Sequence, residues 1–337
     1  MICVGPSASA VYIPPTFTRA ASTNYNQNSG VLNGTIATTG NRAITSVEFQ
    51  WSTSSTFASG NSAWTAASTN TTISQGATNT SRTANSSSLS NDTTYYVRFR
   101  ATNSSGLIAT SAISDSTSNG NFKTYKLNTA TFTGSSTWTN PVSTSGTSGL
   151  AITQILNLDC RAGGGAGFTF AGGGGGAGAR TTSSSATISG NVTVTIGAGG
   201  SAFDGTNGSS SSIGSLLSAS GGIVGNPSLG GSGGGASGNG NAGGSGDLSV
   251  SGQEAGGGGG GTNGTGGNAG VDAGGAGGAG WTAGNGVGGR GGDRFNPNGA
   301  SGGANTGNGG GGGFDPFSGH TAGNGGSGYA QFQYYGP

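Results

Sequence analysis

The sequence predicts an all-β protein: a β-sandwich followed by a glycine-rich β domain with polyglycine II-type helices. Three observations predict it. From about Thr16 to Thr124, short strand-like runs are separated by Ser, Asn and Gly turns, the pattern of a sandwich. Near residue 125 the composition shifts from Ser, Thr and Asn to glycine, and the stretch from Gly163 to Gly328 holds 66 of the 78 glycines. Strand-like blocks interrupt those glycines at Asn191 to Ile196, Ile213 to Leu217, Asp247 to Val250 and Tyr329 to Tyr335. The expected division is an extended arm over 1–15, a sandwich over 16–125 and a glycine-rich domain over 126–337.

Glycine at this density needs a compensating interaction, because ordering each one costs about 0.5–1 kcal/mol more than ordering alanine. Close packing of extended, three-residue-per-turn backbones supplies one, since no Cβ keeps them apart. Collagen requires glycine at every third position, and the runs Gly172 to Gly176 and Gly256 to Gly261 break that period. A polyglycine II bundle, in which neighbouring backbones satisfy one another's N–H and C=O groups, remains. The competing reading is a Gly/Ser linker. The apolar blocks and the near balance of 11 Lys+Arg against 10 Asp+Glu argue against that disorder.

In chain order, the arm runs through Val11, Tyr12 and Ile13 to the pair Pro14-Pro15, which forbids a helix. Such an arm either packs on its own domain or attaches to a neighbour. Val31 to Ile36 reads as a strand, Thr39 to Asn41 as a turn, and Ile44 to Trp51 as an alternating strand whose Trp51 belongs in the core. Leu89 to Tyr95, followed by Tyr96 to Asn103, resembles the tyrosine-corner region of fibronectin type III domains. That resemblance implies a spacer or weak binding module of about 105 residues.

A second resemblance begins at Ala130 to Pro141, with Phe132, Trp138 and Pro141 ahead of the strand Ala151 to Leu158 and the glycine run Gly163 to Gly178. With Thr193 to Gly200, Leu216 to Gly222, Gly246 to Gly252 and the closing Gly328 to Tyr334, it resembles the glycine-rich domains of phage tail proteins. It implies a β framework that pins polyglycine-like helices, with binding loops between the runs, as in tail-fibre adhesins. Asp159-Cys160-Arg161 departs from the pattern, which runs apolar residues straight into glycine.

Only 6% of the residues are charged, against about 25% in ordinary soluble domains. No basic patch can form, which argues against nucleic acid as a partner. No apolar run reaches the roughly 18 residues of a membrane span, and the start lacks the pattern of a signal peptide. The expectation is a virion protein, assembled in the host cytoplasm in multiple copies or as a homo-oligomer and carried outside on the particle. Cys3 and Cys160 form no CxxC or Cys/His motif, and Cys160 reads as a small buried residue.

Catalysis has little material: His320 is the only histidine, and Glu48 and Glu254 are the only glutamates. The expectation is no enzyme, no cofactor and no metal. Gly243 to Val250 is a single, misplaced approximation to a calcium nonapeptide, and Arg290 to Arg294 is one RGG-like copy in a nearly neutral chain. The candidate receptor-binding residues are Trp281, Asp293, Arg294, Phe295, Asn296, Phe314, Asp315, Phe317 and His320. Their aromatic faces and adjacent polar groups suit a host glycan or an outer-membrane protein loop; core filling is the alternative for the rings. Attachment to other virion proteins is assigned to Val11, Tyr12 and Ile13. The expected role is a tail-fibre or tail-tip protein, with a capsid decoration or head-fibre protein as the alternative.

Overall fold

The computed structural model describes residues 12–19, 22–23, 25–57, 65–69, 72–110, 121–141, 152–169, 172–226, 241–247, 255–261, 264–270, 273–277, 288–314 and 320–337. Among them every regular element is a strand, and the protein is all-β. Two compact units form, one from Met1–Asn128, Pro141–Ala151 and Tyr335–Pro337, the other from Thr129–Asn140 and Ile152–Tyr334.

The first unit contains β1 (Thr16–Arg19), β2 (Gly30–Thr38), β3 (Ile44–Ser52), β4 (Thr65–Thr69), β5 (Thr78–Ser86), β6 (Thr94–Asn103), β7 (Ile108–Thr110) and β8 (Phe122–Lys123). One sheet has the order β1-β2-β5; the other has the order β4-β3-β6-β7, with β8 also paired to β6. Alternation along β2 and β6 sends Leu32, Ile36, Val97 and Phe99 into a core shared with Phe49 and Trp51. Gly34 lets the Phe99 ring lie against its strand, because a Cβ there would come within 2.7 Å of the ring. The Tyr95 hydroxyl accepts a hydrogen bond from the Ser90 N–H at 2.9 Å. Tyr95→Phe is therefore expected to cost about 0.5–1.5 kcal/mol in urea unfolding with the slope unchanged. An unaltered midpoint would mean that the bond contributes nothing.

The arm follows the first of its two alternatives as far as it is described. Ile13 donates its N–H to Asn41 Oδ1 at 3.1 Å and accepts the Asn41 N–H at 3.4 Å, so its main chain is occupied within its own unit. The Ile13 side chain is 55% exposed. Tyr12 is half-buried, and Val11 lies outside the described residues.

The remaining strands are β9 (Lys126–Phe132), β10 (Ser136–Trp138), β11 (Gln154–Arg161), β12 (Arg180–Thr187), β13 (Val192–Thr195), β14 (Ser211–Ile213), β15 (Leu217–Ala219) and β16 (Tyr329–Gly336). They form the sheets β12-β11-β16-β9 and β10-β13-β14-β15. The block Ile213 to Leu217 is not one strand: Gly214, at φ +53°, turns the chain between β14 and β15. Trp138 packs edge-on against Phe332 at 5.4 Å between ring centroids, and Phe132 packs against Phe332 at 5.6 Å.

Between these strands the glycine segments form a hydrogen-bonded array with a period of three. Gly163 and Ala166 donate to Ser209 and Thr206, Gly164 and Gly167 to Gly326 and Gly323, and Gly165 and Phe168 to Gly176 and Gly173, at 2.8–3.3 Å. The segment at Gly174 repeats the scheme: Gly174 and Ala177 donate to Gly244 and Asn241, Gly175 and Gly178 to Gly310 and Gly307, and Gly176 and Ala179 to Ile223 and Ser220. An α-helix keeps these bonds inside itself and a strand sends them to its two sides. Here each successive residue bonds in a different one of three directions.

This geometry explains the composition. A Cβ on Gly165, Gly175 or Gly310 would lie 2.0–2.1 Å from a neighbouring carbonyl oxygen. At the margin, where neighbours run out, asparagine side chains replace carbonyls. Asn298 Oδ1 accepts the Thr321 N–H at 2.9 Å, and Asn324 Oδ1 accepts the Ala202 N–H at 2.8 Å.

Candidate functional site: the loop end of the glycine array

One end of the array runs into the strands: Ala162 donates to Ala179, Ala179 to Ser220 and Gly328 to Gly197. At the other end the bonds Gly313 to Phe168, Phe314 to Pro297, Ala166 to Thr206 and Gly256 to Gly292 gather the turns that follow Phe168, Gly200 and Gly292. Backbone pairing beneath the turns fixes their bases, so side chains at this loop end can differ without altering the array.

Asp293, Arg294, Phe295 and Asn296 form one of these turns. The Asp293 carboxylate is buried; its Oδ1 accepts the N–H groups of Phe295 at 2.8 Å and Asn296 at 2.7 Å, and its Oδ2 accepts from the Arg290 guanidinium. The Asp293 N–H donates to the Asn296 carbonyl at 2.8 Å, closing the turn. Burial pushes this carboxyl up, but the two backbone donors and Arg290 outweigh it, and its pKa lies below the ordinary carboxylate value. Its support for the turn is therefore complete above the ordinary carboxylate range and is lost as pH falls through the depressed value. Asp293 is a scaffold for the turn, a correction to its assignment as a contact residue. Arg294 and Asn296 are exposed, and Phe295 stands out at 82% exposure.

Phe314 corrects a second assignment. Phe314 is 9% exposed, and its N–H donates to the Pro297 carbonyl at 2.9 Å. Core filling, the alternative reading, describes it. His320 is half-buried beside Thr321, while Asp315 and Phe317 lie outside the described residues. Trp281 also lies outside them. Its described flanks, Gly277 and Gly288, adjoin each other and Gly259 rather than Gly256, and so lie away from the loop end. The structure thus brings Asp293 to Asn296, Phe314 and His320 to one end.

Sequence reasoning missed the turn that follows Gly200. Phe203 is 98% exposed there. The neck of this turn is closed by the Ser201 N–H to Thr206 Oγ1 at 2.8 Å, the Thr206 N–H to the Ser201 carbonyl at 3.1 Å, and the Ala202 N–H to Asn324 Oδ1. The signal in the sequence was a lone Phe-Asp-Gly between glycine runs, with Gly205 at φ +57°. Beside the turn a cleft of about 540 Å³ is lined by Phe168, Phe203, Asp204, Ser301, Thr321 and Asn324, among others.

Among the described residues no group of three or more His, Cys, Asp and Glu side chains could hold a metal ion. The Asp293 carboxylate is taken up by its own turn. At the opposite end of the array, Asp159 lies between Arg180 Nε at 2.9 Å and Arg161 Nη2 at 2.9 Å. Cys160 beside it is fully buried, and burial, aided by the Asp159 charge, pushes its thiol up to about 12, so it is no nucleophile. No family model and no curated protein matches the chain.

Proposed function

We propose that the protein is a structural virion component of a bacteriophage, at a tail fibre or tail tip, whose loop end contacts the host cell surface. The array is read as a polyglycine II bundle: the three-residue period of its hydrogen bonds is the period of that helix. The observation that carries the reading is the display of Phe203 and Phe295 at 98% and 82% exposure on turns closed by their own hydrogen bonds. Burying a phenylalanine side chain gains about 1.5–3 kcal/mol. Rings held in water on ordered turns forgo that gain until a partner covers them.

The test is a double substitution, Phe203→Ala with Phe295→Ala, in the particle. Adsorption to the propagating strain should fall at least tenfold while the melting temperature of the purified chain stays the same, since neither ring is in the core. Undiminished adsorption would remove the loop end as the contact surface. The alternative, a capsid decoration or head-fibre role, is favoured by one feature: Leu107 and Ile108 are exposed side by side at the edge strand β7, where a flat partner would cover them. Substituting these two with serine should then release the protein from particles, an effect the tail-tip reading does not require.

A further inference from the structure

Building on the loop end as the host-contacting surface, we propose that the cleft beside Phe203 is a saccharide subsite for a neutral hexose of a cell-surface glycan. Its volume, about 540 Å³, lies within the range of small-ligand sites. Its walls combine what a pyranose presents. The exposed Phe203 ring offers an apolar face for the C–H side of a sugar, and Phe168 supplies a second, half-buried ring. Next to Phe203, the exposed Asp204 carboxylate accepts no hydrogen bond among the described residues and can accept two vicinal hydroxyls.

The other polar groups are short and already held. Ser301 Oγ accepts the Asn324 N–H at 3.1 Å and keeps its own hydrogen to donate, and Thr321 is tied to Asn298. Ordering them around a ligand therefore costs little side-chain entropy. Among the described residues of the lining Asp204 is the one ionisable group and none is a cation. A negatively charged site without a basic partner disfavours uronic or sialic acids, which selects neutral sugars. A protein loop would be expected to seek a larger apolar patch than this: among the described residues of the loop end, Phe203 and Phe295 are the large apolar side chains left exposed.

The experiment uses the full chain and a panel of methyl glycosides of glucose, galactose, mannose and N-acetylglucosamine, with methyl glucuronide as the charged control, read by saturation-transfer NMR at millimolar concentration. Transfer to at least one neutral glycoside is expected, absent in Phe203→Ala, weakened about tenfold in affinity in Asp204→Asn, and retained in Phe295→Ala. No transfer to any neutral member, equal or stronger transfer to the glucuronide, or transfer unchanged in Phe203→Ala would each overturn the assignment. Particle adsorption separates this failure from failure of the host-contact reading. Adsorption that depends on Phe203, survives periodate treatment of the cells and is abolished by protease would leave host contact standing and replace the glycan with a surface protein.

Discussion

Replacing Gly310 with alanine is expected to unfold the glycine array. A Cβ at this position would lie 2.0 Å from the carbonyl oxygen of Gly323 and 2.5 Å from its carbon, both backbone atoms that cannot rotate away. Gly310 also donates to Gly165 at 3.0 Å and accepts from Gly175 at 2.8 Å, so displacing it breaks bonds to two neighbouring segments at once. Overpacking in ordinary cores costs about 1–3 kcal/mol, and each buried donor left unmade adds about 1–3 kcal/mol. The sum is comparable with the whole stability of a domain. Calorimetry should show loss of the array's transition, and hydrogen exchange should show amides near Gly165 and Gly175 open to solvent. The paired control is Gly270→Ala, where nothing lies within 4 Å of the added Cβ. It should be neutral or stabilising by about 0.4–1 kcal/mol. Equal melting of the two variants would show that close backbone contact is not what the glycines provide.

The second large effect is expected at Asp159. Its carboxylate joins Arg161, whose side chain is 8% exposed, and Arg180 across β11 and β12, and Arg161 lies over the Tyr329 ring at 5.3 Å. Asp159→Asn keeps the shape but removes the Asp159 charge from two partly buried guanidinium groups. Removing one partner of a buried pair costs about 3–5 kcal/mol; with the aspartate side chain 15% exposed, about 3 kcal/mol is expected. Burial pushes the Asp159 carboxyl up, but the hydrogen bonds and charges of Arg180 and Arg161 outweigh it, and its pKa is lowered. A depressed folded pKa places the stabilisation above the ordinary carboxylate range and removes it as pH falls through the lowered value. The melting temperature of the natural protein should therefore fall on acidification by more than that of Asp159→Asn. Parallel curves would show that the cluster contributes no acid sensitivity.

The departure at Asp159-Cys160-Arg161 shows where reading residues one at a time stops. As a sequence it interrupts an apolar run; in β11 it places Cys160 in the core and lets the two charged neighbours meet a third on β12. The strand β12 itself was not legible. Arg180 to Thr187 carries a single apolar residue, Ala186, so no alternation marks it, and its conformation follows from pairing with β11. β13 and β16 were legible, because their apolar residues alternate with the buried face, whereas β11 is an apolar run whose register slips between Leu156 and Asp159.

By itself the sequence determined that the protein is all-β, that strands at Val192 to Thr195 and Tyr329 to Gly336 interrupt or close the glycine, and that Trp51 is a core residue. Those properties are local, carried by side chains whose period or turn chemistry is visible in a few residues. Only the tertiary structure decided which glycine segment bonds to which, that Phe314 is packed while Phe203 is displayed, and that Ile13 is held by Asn41. Glycine has no side chain with which to encode a partner. The register of the array is set by carbonyls arriving from segments far along the chain, and whether a ring between two runs is covered depends on which of those segments passes over it.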